Sequence, residues 1–106
     1  MKSGYQVTFF TQQDRSHKQT PLAQWLVQKA AELGLPGATL NGAIEGLGHD
    51  GRVHSISMYD FAEQPVQIVM ILSPDEYQRL FALLEKEQVS IFYTRCAVEY
   101  GTLGSN

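Results

Sequence analysis

Residues Gly37 to His54 read GATLNGAIEGLGHDGRVH, and this stretch organises the rest of the chain. Its first part is extended, with Ala38, Leu40 and Ile44 on one alternating register. From Glu45 to Arg52 the strand pattern stops. That segment holds three glycines, at 46, 48 and 51, together with His49, Asp50 and Arg52. Glycine lacks a Cβ, so it accepts positive φ and lets another group approach the backbone. Such a run can form a concave nest of N–H groups suited to an anion. It is equally the composition of an ordinary hairpin loop, which is the more frequent outcome for a lone glycine motif.

Working back from this stretch, Leu22, Leu26, Ala30 and Leu33 fall at helical spacing with Trp25 beside them. Thr20 is the predicted cap and Pro21 the first helical residue, where a missing N–H costs nothing. Gly34 closes the helix and Pro36 prevents its resumption. Gln12 to Gln19 is a polar connection, and before it Tyr5 to Thr11 alternates as a strand with Tyr5, Val7 and Phe9 on one face.

Working forward, Arg52 to Phe61 is extended again, and Ala62-Glu63-Gln64-Pro65 breaks it. Val66 to Leu72, VQIVMIL, is short and almost wholly apolar, which predicts a buried central strand. Ser73-Pro74-Asp75-Glu76 is a capping box: Ser73 accepts from the Glu76 backbone and Glu76 reaches back. The helix it opens runs through Leu80, Phe81 and Leu84 to about Glu87. Val89 to Tyr100 is the last strand, with Phe92, Thr94, Cys96, Val98 and Tyr100 on one side, and Gly101 to Asn106 reads as a loose tail. The order strand, helix, strand, strand, helix, strand predicts an α+β, ferredoxin-like βαββαβ domain over residues 1–106. Its sheet is antiparallel, with both helices on one face. The other face is then wet or packs against copies of itself.

The totals narrow the function. A chain of 106 residues fits one domain. A net charge of −3, from 8 basic and 11 acidic residues, argues against nucleic acid, which needs a basic face to neutralise phosphates. It leaves room for a small anion, for which a few local donors suffice. The one cysteine, Cys96, lies in an apolar run and reads as a buried thiol, so no internal disulfide and no cysteine-type zinc site is available. The N-terminus does not resemble a signal peptide, and no apolar run nears the roughly 20 residues of a membrane span. A reducing cytoplasm is the expected setting.

Pro21-Leu22, Trp25-Leu26-Val27, Glu32-Leu33-Gly34, Gly37-Ala38-Thr39-Leu40, Ile44-Glu45-Gly46-Leu47-Gly48-His49 and His54 together resemble the small PII-like signalling proteins. These carry a K-P-L helix start, then G-A-T-V-x-R-G-I-x-G-F-G and a histidine. More distantly the chain is similar to the nitrogen-regulatory PII proteins. The likeness spans about residues 5 to 85. It implies a non-enzymatic regulatory protein and a homotrimer whose sheets pack together. It implies no resident cofactor, with an adenine nucleotide or similar effector in clefts between subunits. The loop over residues 45–64 would signal to a partner protein such as a membrane transporter. Gly46, Leu47 and Gly48 would donate to phosphate oxygens; Gly37 and Thr39 would line the base or ribose end, flanked by Val69 to Ile71. His49, Arg52 and His54 complete the candidate ligand-binding set.

The departures from that pattern concern charge. Gly42-Ala43 stands where the family has Arg-Gly, and His49 where PII proteins have arginine. Glu85-Lys86-Glu87-Gln88 replaces a loop rich in glycine and lysine, and Arg95 alone can answer the last-strand arginines. Charge-assisted hydrogen bonds are the strong ones. Their loss argues against a triphosphate and leaves open a monophosphate, a cyclic nucleotide, a small anion or no nucleotide at all.

An alternative reading makes His49 and His54, with Asp50 between, ligands for a divalent metal in an ion-homeostasis protein. On extended chain their odd spacing points the two rings to opposite faces unless the loop folds back. Asp14, Ser16 and His17 are too local to form a nucleophilic triad, and their loop lacks glycine to cradle a phosphate. Trp25, Phe81 and Phe92 are expected in the core, and Tyr100 is a candidate to stack on a base.

Overall fold

A computed structural model of the protein describes residues 1–37, 39–42, 45–47, 53–55 and 65–104, with the backbone alone over 39–55. Ten elements follow one another among the described residues: β1 (Lys2–Gln12), β2 (Ser16–His17), β3 (Thr20–Pro21), α1 (Leu22–Glu32), β4 (Thr39–Gly42), β5 (Glu45–Leu47), β6 (Val53–Ser55), β7 (Pro65–Leu72), α2 (Pro74–Lys86) and β8 (Phe92–Tyr100). The main sheet has the order β4-β7-β1-β8 and is antiparallel throughout. The fold is the expected α+β, ferredoxin-like one. Two short hairpins, β2–β3 and β5–β6, interrupt it.

The core follows from strand alternation. Val7 and Phe9 of β1 stand beside Met70 and Ile68 of β7 in register, and all four are fully buried. Leu22, Trp25, Leu26 and Ala30 of α1 and Leu80 and Leu84 of α2 close over them. Side chains at period 3.6 on each helix thus meet side chains at period 2 on one sheet face. Gly4 sits where β1 passes the end of β7, and a side chain there would run into the Leu72 carbonyl and the Tyr100 ring.

Both helix ends obey local chemistry. Ser73 accepts from the Glu76 amide at 3.1 Å, and the Ser73 amide donates to the Glu76 carboxylate at 2.7 Å, so the capping box forms. Gly34 takes φ 72°, while the amides of Gly34 and Leu35 donate back to Ala31 and Ala30. That is the reversal in which glycine ends a helix. α2 ends in the same reversal with Gln88 at φ 58° in the glycine position.

Several expectations need correction. Pro21, rather than Thr20, occupies the cap position of α1 and no side chain caps it; Thr20 belongs to β3. The Arg15 carbonyl instead receives the Leu22 amide at 2.8 Å. The polar connection after β1 contains the β2–β3 hairpin, whose pairing orders it. Glu45 to Leu47 remains a strand, paired with Val53 to Ser55, where loop was expected. β7 is central but not buried on both sides: Val66, Ile68, Met70 and Leu72 are buried, whereas Val69 and Ile71 are half-buried on the opposite face. Phe92 is 69% exposed and Cys96 is exposed, because both lie on the sheet face that no helix covers. Trp25 is buried as expected, and Phe81 packs at the core margin.

Candidate functional site

The β5–β6 hairpin lies between β4 and β7 along the chain, and those two strands are neighbours in the main sheet. Its register sets Gly46 opposite His54 and Leu47 opposite Val53. Glu45 to Leu47 and Val53 to Ser55 therefore run antiparallel, side by side. Gly48, His49 and Arg52 lie outside the described residues. Gly37 and Thr39 stand at the other end of β4, with Thr39 opposite Val69 of β7. The register sets Thr39 beside Val69, while Gly37 precedes β4 and Gly46 lies in β5. A side chain at Gly37 would meet nothing within 4 Å, so its backbone does not itself demand glycine.

A second cluster lies on the helix side of the β8 edge. Arg95 pairs with Val7 in register and so faces the helices. Its guanidinium carbon sits 4.7 Å from the Tyr5 ring centre and 5.0 Å from that of Tyr77. Tyr77 stacks on Phe81 at 4.1 Å, and Phe81 meets Tyr93 edge-on at 4.8 Å. Burial pushes the Tyr77 hydroxyl up; neighbouring Tyr93 adds to this and Arg95 opposes it. A guanidinium stacked on aromatic faces keeps its N–H edge for a planar or tetrahedral anion. Among the described residues no carboxylate pairs with Arg95. The sequence pointed to Arg95 but not to Tyr5, Tyr77 and Tyr93, which the β1–β8 register and the packing of α2 bring together. The ring of Tyr100, the candidate stacking residue, lies beside Gly4.

The polar residues after β1 have partners of their own. His17 Nε2 lies 3.1 Å and Lys18 Nζ 2.8 Å from Glu87 Oε1. Hydrogen bonds from Lys18 and His17, both charge-assisted, hold the Glu87 carboxyl down at about 2. Arg15 donates to the Ser90 carbonyl at 2.7 Å. Asp14 and Ser16 are exposed. Among the described residues no three histidines, cysteines or carboxylates gather as a metal site.

The strand order, the two helices on one face and the hairpin inserted between β4 and β7 define a small protein of PII-like architecture. TTHA0516 of Thermus thermophilus, described as a PII-like signalling protein, superposes with a TM-score of 0.65 at 21% identity, covering 92% of this chain and 88% of that one. CPII of Thiomonas intermedia, a nitrogen regulatory PII-like protein bound to ADP, AMP and bicarbonate, gives 0.63 at 14% identity, covering 94% and 90%. The same protein bound to ADP, AMP and acetate gives 0.62 at 12%, covering 95% and 91%. No functionally curated protein matches the sequence. The chain belongs to the family DUF190, described as uncharacterized ACR, COG1993, which matches residues 4–99.

Proposed function

We propose that the protein is a non-enzymatic PII-like regulator. It assembles as a homotrimer through the uncovered sheet face and takes a small effector, an adenine nucleotide or a small anion, between subunits. The segment 45–64 signals the bound state to a partner protein such as a membrane transporter. The observation that carries this reading is the β5–β6 hairpin. Built on the glycine-rich run, it forms a two-stranded sheet separate from the main sheet among the described residues, and can change its order without disturbing the core. The stacked Arg95 supports it further by offering one oriented guanidinium at the β8 edge, and Thr39 and Val69 offer a surface at the β4 edge. The ligands of CPII support the choice of effector class. An effector must favour one hairpin state over another to act as a signal.

Calorimetry with ATP, ADP, AMP, a cyclic nucleotide, bicarbonate and 2-oxoglutarate tests the reading, alongside sedimentation. Saturable heat with at least one of them, lost on replacing both Gly46 and Gly48 by valine, is the expected result. A monomer that gives no heat with any of the six overturns it. With Gly42-Ala43 and His49 standing where the family and the PII proteins carry arginine, a monophosphate or bicarbonate is expected to outbind the triphosphate.

A further inference from the structure

We propose that the β2–β3 hairpin is a strap latched onto the α2–β8 connection by the Glu87 carboxylate, and that its release uncovers Trp25. Each strand of this hairpin has two residues, too few to hold together without outside contacts. Its two-residue turn is built from Lys18 at φ 50° and Gln19 at φ 69°. Such a turn favours Asn-Gly, because both central residues take the left-handed region. Lysine and glutamine are strained there, and the strain must be held from outside.

The holding contacts converge from the far side of the sequence. Glu87 Oε1 grips both His17 Nε2 and Lys18 Nζ, and Ser90 receives Arg15. Gln88, between them, is the remaining left-handed non-glycine residue among those described. Beneath the strap the His17 ring meets Trp25 edge-on, with centroids 4.4 Å apart, and the indole is only 5% exposed. The strap also finishes α1, whose first amide ends on the Arg15 carbonyl in place of a side-chain cap. A shift of residues 87–90 is therefore felt at the start of α1, two segments that the main sheet does not join.

Trp25 is the sole tryptophan, so its emission reads the strap directly. Four proteins are compared: wild type, Glu87→Ala, Gln19→Gly, and the double variant. In Glu87→Ala, emission shifts to the red and acrylamide quenching rises about threefold, while amide exchange accelerates over 17–22 and stays unchanged in β1 and β7. Gln19→Gly in the Glu87→Ala background restores both signals, since a relaxed turn no longer needs the latch. Unchanged emission in Glu87→Ala overturns the proposal. So does exchange that accelerates equally in β1 and β7, or a double variant that behaves like Glu87→Ala.

Discussion

Glu87 illustrates how one side chain gathers consequences. Its carboxyl is held at about 2 in the folded chain against an ordinary 4.5, by the hydrogen bonds from Lys18 and His17. A depressed carboxylate stabilises the fold above its unfolded value, and that stabilisation is lost as pH falls through the folded value. The difference in thermal midpoint between wild type and Glu87→Gln is thus expected to be full at pH 5, to shrink from about pH 4.5 downward, and to vanish near pH 2. Thermal scans at half-unit steps check it; a difference that persists undiminished at pH 2 contradicts the assignment. Thr11 behaves in the opposite sense. It is 7% exposed, and its hydroxyl has no hydrogen-bond partner among the described residues. Thr11→Val keeps the shape and removes the orphan, so urea unfolding is expected to show a gain of about 1 kcal/mol. These residue-level facts were mostly hidden in the sequence. His17 read as part of a polar surface loop because Glu87, its partner, lies 70 positions away.

At the scale of elements, the helix ends were the most readable part of the chain. Ser73-Pro74-Asp75-Glu76 carries its geometry in four consecutive residues, and Gly34 marks the end of α1 in the same local way. Ser73→Ala is expected to cost about 1 kcal/mol in denaturant unfolding, the usual loss for a serine cap. Gln88 holds at α2 the position glycine holds at α1. Gln88→Gly is expected to raise the thermal midpoint through a gain of about 0.5 kcal/mol, the relief of the left-handed backbone less the added chain entropy. The elements misread were those whose signal is not local. Lys18-Gln19 has neither glycine nor asparagine to announce a tight turn. Alternation correctly put Phe92 and Cys96 on one face of β8, but alternation cannot say whether anything covers that face. The glycine-rich run was recognised as the pivotal segment, yet the pairing of Gly46 with His54 depends on a return strand of three residues, too short to stand out.

The described residues form two layers, with helices on one side of the sheet and, among these residues, no second layer on the other. Phe10 and Phe92 meet on the bare face at 5.6 Å between ring centres, on the same side as Val69, Ile71 and Val98. A patch of this kind marks a contact surface. Phe92→Asp is expected to leave the protomer folded, since the side chain is already mostly in water, and to convert the proposed homotrimer to monomers in sedimentation velocity. A variant that remains trimeric would remove this face from the interface. The helices' side was readable because capping and periodicity act within each element. In the proposed homotrimer the role of the uncovered side lies in contacts with other copies of the chain, which no single sequence pattern encodes.

β8 ends the sheet with nine residues in a row, free of proline and bulge, and among the described residues only one of its two edges is paired. Such a ribbon invites any extended chain to zip along it. If the chain assembles as proposed, subunit association becomes a kinetic race: newly made protomers must find their proper neighbours before they find one another in cross-β stacks. Dilute or interface-crippled protein is accordingly expected to form fibrils before it unfolds.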